Sequence, residues 1–225
     1  SGLLSKFHVA IYENKIKIKV GDLELNSDTI DRVYEELSCD EDLKYQLENE
    51  STNFEYTKFF YETYKADKTS TTKGEDLNLP RNIKFDVKDI GEFKITILIG
   101  TEDDESPIKG IGSRKLLGWY RDDMFITHDI KRYQWGHNAQ PFCGIVSCTS
   151  NEGNEILTKM ENATHTKFKI IPRIEHLRKP LENLKTKAGE KVKAEISRLV
   201  EELVSESLPE LDEIFNESNS DSNEN

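Results

Sequence analysis

The sequence predicts an α+β fold: a mixed sheet with helices on one side, a long C-terminal helix and a disordered acidic tail. Three observations predict it. Short runs of alternating apolar and polar residues recur over the first two thirds of the chain, as half-buried strands require. Segments with apolar residues at helical spacing lie between them. Residues 180–203 then carry one uninterrupted apolar stripe, and the remaining residues are rich in Glu, Ser and Asn.

From the N-terminus, Phe7-His8-Val9-Ala10-Ile11-Tyr12 reads as a strand and Glu13-Asn14-Lys15 as a turn. Ile16, Ile18 and Val20 alternate with Lys15, Lys17 and Lys19, which completes a β-hairpin with one solvated lysine face. Such a lysine row protects an edge and keeps it soluble rather than marking a binding site. Asn26-Ser27-Asp28 caps a helix from Thr29, with Ile30, Val33, Tyr34 and Leu37 on one face. Residues 41–48 read as a second short helix. Residues 53–65 carry Phe54, Tyr56, Phe59, Phe60, Tyr61 and Tyr64, largely at helical spacing, which favours core packing over base stacking.

Residues 66–78 are polar and form a loop or linker. They divide the chain into a hairpin-and-helix unit (1–66), an α+β unit (79–204) and a tail (205–225). Ile83, Phe85 and Val87, then Phe93, Ile95, Ile97 and Ile99, predict two antiparallel strands joined at Lys88-Asp89. Residues 102–107 are an acidic exposed loop. Residues 116–120 and 124–126 are strands around the tight turn Arg121-Asp122-Asp123. Residues 142–148 are a short apolar strand and 154–161 a helix. Pro180 suits a first helical turn. Leu181, Leu184, Ala188, Val192, Ile196, Leu199, Val200 and Leu203 mark one helix face. That stripe suits a docking or dimerising helix and equally a helix laid across its own sheet.

Charge is uneven. The formal net charge is −12, but residues 205–225 hold seven acids and no Lys or Arg, which leaves 36 acids against 31 bases elsewhere. Whole-chain charge therefore argues against generic nucleic-acid binding while leaving room for a local basic surface. Three cysteines, Cys39, Cys143 and Cys148, make no disulfide framework and suit a reducing, cytoplasmic setting. No apolar run spans a bilayer. The Ser-Gly start reads as the scar of tag removal, with native sequence expected upstream.

Most catalytic constellations are excluded by spacing. No CxxC or HExxH pattern occurs, and Cys143 and Cys148, five apart on one strand, face opposite sides. Neither is in an activated context. His8, His128, His137, His165 and His176 are scattered and read as capping or surface residues. No P-loop or GxGxxG is present. Asp86, Glu92 and Lys94 fall in a loose nuclease-like order, a spacing common by chance. One stretch remains, IKGIGSRKLLGWYRDDMFIT at 108–127. Gly110 and Gly112 let backbone approach a ligand, and Lys109, Arg114, Lys115 and Arg121 supply cationic donors for phosphate. It reads as a phosphate-sensing loop or as a surface hairpin balanced against the acidic loop before it.

Three segments, FHVAIYENKIKIKVGDLELNSDTI, YRDDMFI and NEILTKMENATHTKF, resemble the region that follows the nucleotide-binding domain in GHKL-type ATPases, in particular MORC-like and heat-shock-chaperone-like bacterial members. The resemblance covers residues 3–180. Where those proteins read Arg-Asn-Gly-Met, this chain keeps Arg121 and Met124 and has Asp122 and Asp123 between them. The resemblance implies a transducer domain with a ribosomal-S-five-like fold. It implies that one of Lys109, Arg114, Lys115 and Arg121 reaches the γ-phosphate of ATP, with Mg, held by an upstream nucleotide-binding domain. It also implies that the chain alone does not hydrolyse ATP, and that it couples nucleotide state to homodimerisation or to a DNA or protein partner, in a setting such as phage defence. A self-contained protein-binding module with no nucleotide link is the alternative.

Overall fold

The computed structural model of the chain describes residues 2–39, 54–70, 79–100, 108, 110–128 and 140–220. Its centre is a five-stranded mixed sheet. Strands β3 (Arg81–Val87) and β4 (Gly91–Ile99) form one antiparallel hairpin, and β5 (Lys115–Arg121) and β6 (Met124–His128) form a second. Strand β7 (Phe142–Cys148) lies between them, antiparallel to β4 and parallel to β5, so the order is β3-β4-β7-β5-β6. Both hairpin turns place an aspartate in the left-handed region, Asp89 at φ 69° and Asp122 at φ 49°. Aspartate tolerates that region because its short polar side chain bonds locally. The mixed α+β sheet matches the sequence expectation.

Helices pack on both faces of the sheet, not one. Helix α4 (Asn151–Met160), a 3₁₀ turn (Pro172–Leu177) and the first half of helix α5 (Arg178–Ser220) cover one face. Helices α1 (Gly2–Tyr12) and α3 (Phe54–Thr69) cover the other. The reason is in the strands: β5 and β7 are buried along nearly their whole length, which demands cover on both sides. Within β7, Phe142, Val146 and Cys148 join the first core, and Cys143 and Ile145 the second. The two cysteines face opposite sides, as their spacing predicts. Val9, Phe59 and Phe60 pack into the same cluster as Leu98, Leu116 and Ile145, so the two predicted units share a core.

The N-terminus departs most from expectation. Residues 7–12 are helical in α1, not a strand, with non-helical angles only at Phe7 (φ −116°, ψ 15°). Leu4, Val9, Ala10 and Ile11 are all buried, and a continuous apolar run buried on most sides carries no period that separates helix from strand. A hairpin does form, between β1 (Ile18–Val20) and β2 (Leu23–Leu25), with Lys19 opposite Glu24. Helix α2 (Ile30–Cys39) starts as predicted. Asn26 Oδ1 accepts the backbone N–H groups of Asp28 (2.9 Å) and Thr29 (3.2 Å). Tyr34 of α2 stacks on Tyr61 of α3 with centroids 4.7 Å apart, and Tyr61 Oη donates to Asp31 at 2.8 Å. The predicted helix at 41–48, the acidic loop at 102–107 and residues 71–78 of the linker lie outside the described residues; residues 66–69 belong to α3.

In α5, Leu181, Leu184, Ala188, Val192, Ile196 and Leu199 are buried against the sheet, which selects the intramolecular reading of the stripe for this half. The helix then runs on through Pro209 to Ser220, where the sequence predicts disorder from Ser205. Leu208, Leu211 and Ile214 fall at helical spacing, a pattern that composition alone does not reveal.

Candidate functional site

The glycine-rich loop between β4 and β5 is held by two isoleucines and left open at its glycines. Ile108 and Ile111 are 1% and 2% exposed and insert into the core between the sheet and α3. Ile111 N–H donates to Ile108 O (3.2 Å), Arg114 N–H to Ile111 O (3.2 Å), and Phe142 N–H to Arg114 O (3.1 Å), which ties the loop to the start of β7. Gly110 (φ 83°) and Gly112 (φ 57°) are exposed, and a Cβ built on Gly110 would meet no atom within 4 Å. Backbone there faces open space in a conformation that only glycine adopts freely. Arg114 and Lys115 are half-buried beside it, and Arg114 Nη1 donates to the carbonyls of Gly110 (3.3 Å) and Ile111 (3.1 Å). The arrangement sets two cationic side chains beside open glycine backbone, where an anion could be met. Lys109 lies outside the described residues.

Arg121 is elsewhere. It ends β5 and Lys115 begins it, so the two are about 20 Å apart at 3.3 Å per residue. The Arg121 guanidinium is occupied: Nε and Nη2 both donate to Glu161, and Nη1 donates to Asp122 at 2.8 Å. The Glu161 side chain is 1% exposed. Burial opposes the charge on Arg121, but the Glu161 and Asp122 carboxylates hold its pKa above the ordinary arginine value. The Asp122-Asp123 turn is pinned twice more, by Asn154 of α4, which accepts the Asp122 N–H (3.1 Å), and by Lys15, whose ammonium meets Asp123 at 2.5 Å. The structure thus gathers Gly110, Gly112, Arg114 and Lys115 at one end of β5 and sets Arg121 in an ionic cluster at the other. Glu161, Lys6 and Lys15, which complete that second cluster, carry no motif; the run Asn162-x-Thr164-x-Thr166 is the nearest signal, a polar turn sequence.

Asp86 and Glu92 face each other across the β3–β4 hairpin, but Lys94 Nζ is bound to Asp67 of α3 at 2.6 Å. Asp67 also accepts from Asn82 (2.6 Å), which makes this an anchor of α3 on the sheet. Burial pushes the Cys143 thiol up and away from its reactive form. His8 is a core residue rather than a surface one: Tyr120 Oη lies 2.8 Å from Nε2 and the Ser5 carbonyl 3.0 Å from Nδ1. His137 lies outside the described residues. Among the described residues, no group of three or more His, Cys, Asp or Glu is arranged to hold a metal, and no helix is long and apolar enough to cross a membrane. In comparisons with known proteins, no family model matches the chain, and neither does any curated protein or solved structure.

Proposed function

We propose that the chain is the transducer portion of a GHKL-type ATPase, which senses nucleotide held by an upstream domain and passes that state to a dimer contact or to a DNA or protein partner. The observation that carries this reading is the loop at 108–115. Two buried isoleucines fix it, two left-handed glycines open it, and Arg114 and Lys115 stand beside the opening. A charge held ready for a developing phosphoryl charge needs this combination of fixed backbone and adjacent cation. Arg121 does not fit the sensing role in this arrangement, because both edges of its guanidinium are engaged by carboxylates. ATP and Mg would bind to the upstream domain, with this chain supplying the cation.

The test uses the protein translated from its complete coding sequence. If a GHKL nucleotide-binding domain precedes these residues, Lys115→Ala or Arg114→Ala should slow ATP turnover by roughly 100-fold, since one such charge contributes several kcal/mol to the transition state. Arg121→Ala should act through folding instead. Absence of that domain, or wild-type turnover in the Lys109, Arg114 and Lys115 variants alike, would overturn the reading and leave a protein-binding module in its place.

A further inference from the structure

At the far end of β5 the chain holds one exposed imidazole in a fixed setting. His165 Nδ1 lies 2.6 Å from Glu161 Oε2, and the Glu161 side chain is 1% exposed while His165 is 49% exposed. Glu161 is itself fixed by two donors from Arg121. The backbone at His165 sits in the left-handed region (φ 50°), a conformation that histidine adopts at a cost. Several bonds maintain it. His165 N–H donates to Asn162 O (2.9 Å), and Asn162 Oδ1 accepts the N–H groups of Thr166 (2.8 Å) and Lys167 (3.0 Å). Lys6 Nζ reaches over from α1 to the carbonyls of Thr164 (2.5 Å) and His165 (3.1 Å).

This geometry settles the tautomer. A carboxylate only accepts, so the proton between His165 and Glu161 belongs to Nδ1, and in the neutral ring the lone pair is at Nε2. Nε2 makes no hydrogen bond among the described residues, and about half of the side chain is exposed. An oriented lone pair backed by a buried carboxylate is the arrangement of a general base or of a nucleophile. General-base catalysis needs a bound substrate and a second reacting group beside the imidazole, and the hydroxyls of its sequence neighbours, Thr164 and Thr166, are bonded to each other (2.9 Å) and to Asn162. Accepting a group needs only the one exposed nitrogen, because the donor brings the rest.

We propose that His165 is a phosphoryl-acceptor site, modified at Nε2 by a phosphoryl donor of the acyl-phosphate or phosphoramidate class. The Nε2 lone pair attacks phosphorus and the N–P bond forms. The bond from phosphorus to the donor's carboxylate oxygen, or to its nitrogen, breaks, and the leaving group departs with the electron pair. Nothing is oxidised or reduced. Nδ1 keeps its proton, and Glu161 stabilises the positive charge that the ring gains. Lys6, bonded to the His165 carbonyl, places a cation beside the imidazole for the incoming anion. This inference does not depend on the nucleotide-sensing reading, since it concerns the opposite end of β5.

The test treats the 225-residue chain with acetyl phosphate, and separately with phosphoramidate, and reads intact mass and fragment spectra under basic conditions. One acid-labile phosphoryl group on His165 is the expected result, with none on the exposed His176 as internal reference. His165→Asn, chosen because asparagine accepts the left-handed backbone, should abolish labelling and leave the fold intact. Glu161→Gln should slow it at least about tenfold, the loss of one charge-assisted hydrogen bond to the ring. Because that variant removes a buried ion pair, nitrogen chemical shifts of His165 in the unmodified chain provide a second measurement: Nδ1 protonated and Nε2 bare supports the site. No label, equal labelling of His176, undiminished labelling of the His165→Asn chain, or the opposite tautomer each overturns the proposal.

Discussion

Arg121 and Glu161, forty residues apart, form a side-on ion pair in which the carboxylate is almost wholly withdrawn from water. The pair joins the β5–β6 turn to the end of α4. Removing Arg121 leaves the buried Glu161 carboxylate without its cation, with the His165 ring as its remaining hydrogen-bond partner among the described residues, which is far more costly than losing an exposed pair. Arg121→Ala should therefore destabilise the chain by about 3 kcal/mol, measured by urea unfolding at neutral pH. Exchanging both residues for Met should recover most of that loss. A change under about 0.5 kcal/mol in the single variant would reduce the pair to a surface contact.

His8 gives the fold a pH dependence of its own. Burial lowers its pKa from the ordinary 6.5 to about 4, and the neutral ring is bonded at both nitrogens to Ser5 and Tyr120. The folded state thus disfavours the protonated ring. The stabilising effect is complete above pH 6.5, where the unfolded chain is neutral too. It is lost progressively as pH falls from there toward 4, where the folded chain also takes up the proton. The loss amounts to about 3 kcal/mol at 1.36 kcal/mol per pH unit. Comparing wild type with His8→Gln at about pH 7 and pH 4.5 isolates this effect from the carboxylates. The wild type should lose more stability over that interval, and parallel losses would show that His8 charges as freely in the fold as out of it.

The β3–β4 hairpin was legible because alternation and turn residues agree: Phe93, Ile95, Ile97 and Ile99 point one way and Asp89 takes the turn; β5 and β7, buried on both faces, were legible as short apolar runs bounded by turn residues. Residues 7–12 were not, because Val9, Ala10 and Ile11 are consecutive and all buried, so no polar face sets the period. The loop with Gly110 and Gly112 could be read from composition, since glycine and cations announce it locally. The Arg121–Glu161–His165 cluster could not. It is made by a turn, a helix end and a loop brought together only in space, and proximity along the chain groups Arg121 with the glycines instead.

Gly118 is where the Phe60 ring of α3 meets strand β5. A Cβ there would stand 2.8 Å from Cε1 of Phe60, whose ring is fully buried between Tyr120 and Phe125. The ring has no exposed space to move into, so Gly118→Ala should cost about 1–3 kcal/mol through overpacking. Phe60→Leu should relieve part of that cost in the double variant, because the ring atoms that clash are gone. Thermal midpoints of the wild type, the two single variants and the double variant test the coupling. Additive losses would place the strain somewhere other than the Gly118–Phe60 contact.

The C-terminal helix should divide into a half that holds the fold and a half that does not. Leu199 is the last described side chain buried against the sheet, and Glu201 is exposed. Beyond it the sequence carries seven acids from 205 to 225 without one base. A segment with one sign of charge and few apolar residues gains little to offset the entropy of ordering it. Deleting 205–225 should leave the thermal midpoint within about a degree, because changes under ~0.5 kcal/mol move it little. Ile196→Ala and Leu199→Ala should each cost about 2–5 kcal/mol, as buried aliphatic truncations do. All three changes fall in one helix, so melting the variants side by side locates the boundary. A midpoint several degrees lower in the truncated chain would mean that Leu208, Leu211, Ile214 or Phe215 docks, and that the stabilising stripe extends past Leu199.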